Sequence, residues 1–91
     1  MDIYNSNQVN IPKHEVYLNS FPNPSNGALI IESNGLIEEV QIRDLTGRVM
    51  IQETPLNNKC QIETSQLSND IYFLHCLVQK QWIKKKFIIT H

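Results

Sequence analysis

ALIIESNGLIEEVQIRDL, residues 28–45, decides between a helical and a β reading of the chain. Leu36, Ile37, Val40 and Leu45 partly follow a helical stripe. Val40-Gln41-Ile42 alternates instead, with Val40 and Ile42 on one face and Glu39, Gln41 and Arg43 on the other. β-branched residues recur throughout, and the alternation wins. Residues 28–33 read as a compact apolar strand. Ser33-Asn34-Gly35 reads as a turn whose glycine supplies a positive φ. The rest, to Leu45, reads as a second strand.

Five further runs share this pattern. EVYLNSF (15–21) sets Val16 and Leu18 against Tyr17, Asn19 and Phe21. RVMIQE (48–53) follows the Leu45-Thr46-Gly47 turn. KCQIET (59–64) places Cys60, Ile62 and Thr64 on one face. IYFLHCLVQ (71–79) places Tyr72, Leu74, Cys76 and Val78 opposite Phe73, His75 and Gln79. WIKKKFIIT (82–90) closes the pattern. Seven short runs separated by turn residues predict an all-β sandwich of about seven antiparallel strands.

The turns have their own chemistry. In FPNPSNG, Pro22 and Pro24 fix their φ and push Phe21 and Asn23 toward extended backbone. Asn23 caps the corner and Gly27 releases the chain into the next strand. Asp44 is placed to accept backbone N–H bonds across its own turn, with Gly47 at the positive-φ position, and Asn57-Asn58 reads as a further turn. Residues 1–13 are polar and without period, a linker or arm ahead of a domain at 14–91.

With 91 residues, 8 basic and 9 acidic, the chain is one nearly neutral domain. So short a chain buries roughly 60–65% of its unfolded surface, which keeps the core thin. The balance of charge offers no global attraction for nucleic acid or an anionic membrane. Locally it is uneven: residues 80–91 hold Lys80, Lys84, Lys85 and Lys86 and no acid. No run is long enough to span a membrane as a helix. The residues after Met1 do not read as a signal peptide, so the chain is expected to be cytosolic or a piece of a longer exported protein. Cys60 and Cys76 are compatible with one disulfide or with two buried thiols.

Catalytic and metal-binding patterns do not emerge. His14, His75 and His91 are far apart, and His75 and Cys76, as strand neighbours, point to opposite faces. Glu38 and Glu39 are neighbours on a solvated strand. Three scattered glycines make no phosphate loop. The expectation is a non-enzymatic module without cofactor or metal.

Three ordered pieces carry a family likeness: FPNPSNG (21–27); VQIRDLTGRVM (40–50) with its Asp-Leu-x-Gly-basic core; and LSNDIYFLHC (67–76), followed by KKKFII. In this order the chain resembles the type A C-terminal sorting domain of type IX secretion cargo proteins. The resemblance covers about residues 14–91 and rests on Pro22, Asn23, Pro24, Gly27, Asp44, Gly47, Leu67, Asp70 and Tyr72. The family's glycine falls on Asp70, and Asn69-Asp70 is expected to keep the turn in left-handed backbone. Tyr72 is placed to form a tyrosine corner.

The resemblance implies an immunoglobulin-like sandwich and an address label for an N-terminal cargo domain. It implies passage through the periplasm to the outer-membrane surface or the medium. The implied partners are the type IX translocon and its shuttle proteins, and a sortase-like cysteine peptidase that removes the domain, cutting in or before residues 1–13. Recognition is assigned to Lys84, Lys85, Lys86, Phe87, Ile88, Ile89, Thr90 and His91, as a terminal strand that adds to a partner's sheet. Exposed edges also allow a homodimer. A second reading is an immunoglobulin- or fibronectin-like accessory module binding carbohydrate or protein through Tyr17, Phe73 or Trp82.

Overall fold

Buried positions recur at every second residue from Leu29 to Ile37, straight through Ser33-Asn34-Gly35. The computed structural model describes residues 16–22 and 27–91, and in it the two central runs are one strand. The six described strands are β1 (Leu18–Phe21), β2 (Ala28–Arg43), β3 (Val49–Glu53), β4 (Asn57–Glu63), β5 (Asp70–Val78) and β6 (Gln81–Ile89). The 1–13 linker, His14, Asn23 and Pro24 lie outside the described residues. Phe21 and Pro22 are joined by a cis peptide bond.

Ser33-Asn34-Gly35 was expected to reverse the chain, and it does not. Gly35 lacks the positive φ that such a turn requires. Instead, a Cβ at Gly35 would stand 2.8 Å from Gln79 Nε2 and 3.0 Å from Val78 Cγ1. Glycine is there because the strand meets the end of β5 at close range. Ser33 is buried and its hydroxyl accepts the Gly35 N–H at 3.1 Å.

The long strand organises the sheet, and every described pairing is antiparallel. One edge of β2 takes β3 at Val40–Arg43 and then β4 from Ile37 back to Ala28. The opposite edge takes β5 from Arg43 to Ile37 and then β1 at Ile30–Ser33, while β6 lies outside β5. Ile37 faces Val78 but Glu39 faces Leu77, so Glu38 is an extra residue. This bulge shifts the side-chain phase by one. Leu29, Ile31 and Ile37 before it, and Val40 and Ile42 after it, therefore all point inward.

Leu74, Cys76 and Val78 of β5, Phe87 and Ile89 of β6, and Ile62 of β4 join them in the core. These residues share the sheet's inner face, yet all are at most 1% exposed. The single sheet must curl over itself to enclose them. The expected seven strands thus become six among the described residues, because an unbroken β2 hydrogen-bonds both halves into one sheet.

The remaining turns divide. Asp44 behaves as expected: its Oδ1 accepts from Thr46 N at 2.9 Å, Thr46 Oγ1 at 2.6 Å and Arg48 N at 3.0 Å. Gly47 has φ 89°. The Thr46 hydroxyl bond is the main reason the Asp44 carboxyl sits below its ordinary pKa. Asn57 and Asn58 instead begin β4, and the reversal falls on Leu56 at φ 53°. Asp70 is not left-handed either; it opens β5 and accepts the Ile71 N–H at 2.8 Å. The family glycine is dispensable here because this backbone does not call for a positive φ.

Candidate functional site

The lysine-rich strand β6 alternates like any other strand, and this sorts the residues assigned to recognition. Phe87 and Ile89 point into the core at 1% and 0% exposure. Phe87 packs on Tyr72 with ring centroids 6.1 Å apart. Lys84, Lys86 and Ile88 share the outer face, paired across to His75, Phe73 and Ile71. Lys85 is opposite core-facing Leu74 but is itself exposed. Thr90 and His91 follow the strand and are exposed.

His91 is nevertheless tied down. Its Nε2 donates to the Leu67 carbonyl at 2.6 Å and its backbone N–H to Asn69 Oδ1 at 3.0 Å. The same corner holds Tyr72, whose hydroxyl donates to Ser68 O at 2.9 Å and lies 3.3 Å from Ser68 Oγ. The expected tyrosine corner is present, and the end of the chain is fastened to it. Buried Leu67 closes the corner from inside, with its N–H on Thr64 O at 3.0 Å.

Outside the sheet, register brings together side chains that the sequence keeps far apart. Gln41, Arg43, His75, Trp82 and Lys84 line a hollow of about 390 Å³. Arg43 donates to Gln41 Oε1 from Nε at 2.9 Å and from Nη2 at 2.6 Å. Gln41 and Gln52 each donate from Nε2 to Glu39 Oε2, at 2.7 and 2.6 Å. Desolvation lowers the His75 pKa below its usual value, and the nearby charges of Arg43 and Lys84 lower it further. Of these five, the sequence singled out Lys84 for recognition by the export machinery and Trp82 for the accessory-module reading. Cross-strand register, which reveals the others as a group, is not written in local spacing.

Cys76 lies in the core, on the opposite face of β5 from His75, as strand neighbours must. Cys60 and Cys76 are free thiols, so no disulfide joins them, but only Cys76 is buried and Cys60 is half-buried. Burial, and secondarily the nearby Cys60, pushes the Cys76 thiol up to about 12, so it is an inert packing group. Among the described residues no three His, Cys, Asp or Glu side chains come together as a metal site. Among the described residues no helix is long and apolar enough to cross a membrane.

Residues 19–90 match the family described as secretion system C-terminal sorting domain. No curated protein matches the chain. A solved structure of PorZ from Porphyromonas gingivalis, an essential bacterial surface component of the type-IX secretion system, superposes with a TM-score of 0.64. The likeness has 19% identity and takes in 84% of this chain but 11% of that one, so it bears on fold alone.

Proposed function

The chain belongs to the secretion system C-terminal sorting domain family, the type IX class, and from this premise we propose that its address is read on the outer face of β6. The family is non-catalytic and directs the export of attached cargo, to the cell surface or beyond, through contact with the secretion machinery. Specific partners are part of the proposal: the outer-membrane translocon and its shuttle proteins, met in the periplasm, and a sortase-like cysteine peptidase cutting in or before residues 1–13.

The carrying observation is the alternation of β6. It spends Phe87 and Ile89 on the core and turns Lys84, Lys86 and Ile88 outward. Lys84 and Lys86 make no ion pair with any described residue, which leaves their charge for an acidic partner surface. We also read the two halves of the sheet as layers of an immunoglobulin-like sandwich that share β2. In support, the Glu38 bulge sits where the halves join, a common place for a strand to change layer.

Deleting residues 84–91 tests this poorly, since it also removes Phe87 and Ile89 from the core. Lys84→Glu with Lys86→Glu leaves the core intact. Fused behind a reporter carrying a signal peptide, in a bacterium with the pathway, the double variant is expected to fold and to export about tenfold less than the parent. Export at the parent level by a folded double variant would overturn the assignment.

A further inference from the structure

The outer-face hollow shares Lys84 with the lysine stripe but differs from the rest of it in kind. Trp82 is 47% exposed and forms one wall. Around it stand Arg43, Lys84 and His75, with Lys86 one row further along β6. Glu39, which accepts from the amides of Gln41 and Gln52, sets one negative charge against the three cations Arg43, Lys84 and Lys86. The hollow is therefore positive, with an aromatic wall. Its volume falls at the lower end of the range for small-molecule sites.

Two details show that it is organised. Gln41 clamps Arg43 through both Nε and Nη2, so the guanidinium is oriented before any ligand arrives. His75 has a lowered pKa, so at neutral pH it offers an uncharged ring that can accept or donate a hydrogen bond to a hydroxyl. Side chains on the face of a sheet supply all of this. A peptide strand would look for backbone partners, and these lie at the edges of a sheet and not on its face. A ring that stacks on an aromatic wall and carries an anion and hydroxyls matches every group present.

We infer that the hollow between β2, β5 and β6 binds an acidic sugar, its ring against Trp82 and its carboxylate or phosphate on Arg43 and Lys84. This function is separate from export, and its test makes no use of the secretion pathway.

Trp82 is the sole tryptophan, so its fluorescence reports on the site directly. The 91-residue chain is titrated with methyl glucuronide, glucose 6-phosphate, glucose, inorganic phosphate and a short aspartate-rich peptide. Amide NMR shifts follow the variants that lack the indole. The acidic sugars are expected to change the fluorescence and to shift the amides of Gln41, Arg43, His75 and Lys84. Glucose, inorganic phosphate and the peptide are expected to bind at least about tenfold more weakly, the scale of one stacked ring.

Trp82→Leu is expected to weaken the acidic sugars by about tenfold and to leave inorganic phosphate unchanged. Lys84→Gln is expected to weaken acidic sugars and phosphate alike, by about three- to tenfold. Both residues are exposed, so both variants should keep the parent's circular dichroism. The inference is overturned if no acidic sugar binds, if inorganic phosphate or the peptide binds as tightly, or if Trp82→Leu has no effect.

Discussion

Gly35 and Gly47 look alike in sequence, each following a polar residue in a short turn-like triplet, yet they are glycines for different reasons. Gly47 needs its φ of 89°. Gly35 needs room, because Val78 Cγ1 and Gln79 Nε2 occupy the place of a side chain. Gln79 Nε2 is the end of a flexible chain and can swing away, but Val78 is fully buried and cannot. Gly35→Ala is therefore expected to destabilise the fold by about 1–3 kcal/mol, the usual cost of overpacking. Equilibrium urea unfolding measures it as a lower midpoint at constant m value. A midpoint equal to that of the parent would show that β5 yields freely at Val78.

At the scale of elements, the β5–β6 hairpin carries a conflict that the sequence conceals. Val78 pairs with Gln81, so Gln79-Lys80 is a two-residue turn, with φ 52° and 65°. This is the region of a type I′ turn, which favours Asn-Gly and offers little to glutamine and lysine. Lys80→Gly removes left-handed strain at the expense of a more flexible unfolded chain. The balance is expected to stabilise the protein by about 0.5–1 kcal/mol, read as a higher urea midpoint. Gln79-Lys80 illustrates why some elements were legible and others were not. Alternation located the strands, and the Asp44 turn and the Tyr72 corner were readable because each uses residues within a few positions. Ser33-Asn34-Gly35 misled because a turn-forming composition is equally compatible with close strand packing, and only the partner strand decides. The Glu38 bulge was hidden for the same reason: the extra residue exists only relative to Leu77. The outer-face hollow, assembled from residues 41, 43, 75, 82 and 84, is likewise a product of register.

For the molecule as a whole, the curl of one sheet sets two environments apart. The inner face takes the core, and the outer face collects Arg43, Lys84 and Lys86 around His75. That crowding links global stability to pH. Partial burial of His75, and then the charges of Arg43 on β2 and Lys84 on β6, hold its folded pKa below the ordinary 6.5. The unfolded chain, lacking that environment, binds the proton more readily. Stability rises with pH wherever the unfolded state holds more protons. The contribution of a neutral His75 is thus fully present above pH 6.5 and is lost as the pH falls through the lower folded pKa. Urea midpoints taken from pH 8 downward are expected to fall on acidification through this window. His75→Gln keeps a polar group facing the hollow and removes the titration, so the decline should flatten in that variant. An equally steep decline in His75→Gln would move the cause to another group and would mean that the cations beside His75 are too well solvated to disfavour its charge. An acidic ligand seated on Arg43 and Lys84 would neutralise the same repulsion, so it should raise the His75 pKa and diminish the acid loss in the parent alone.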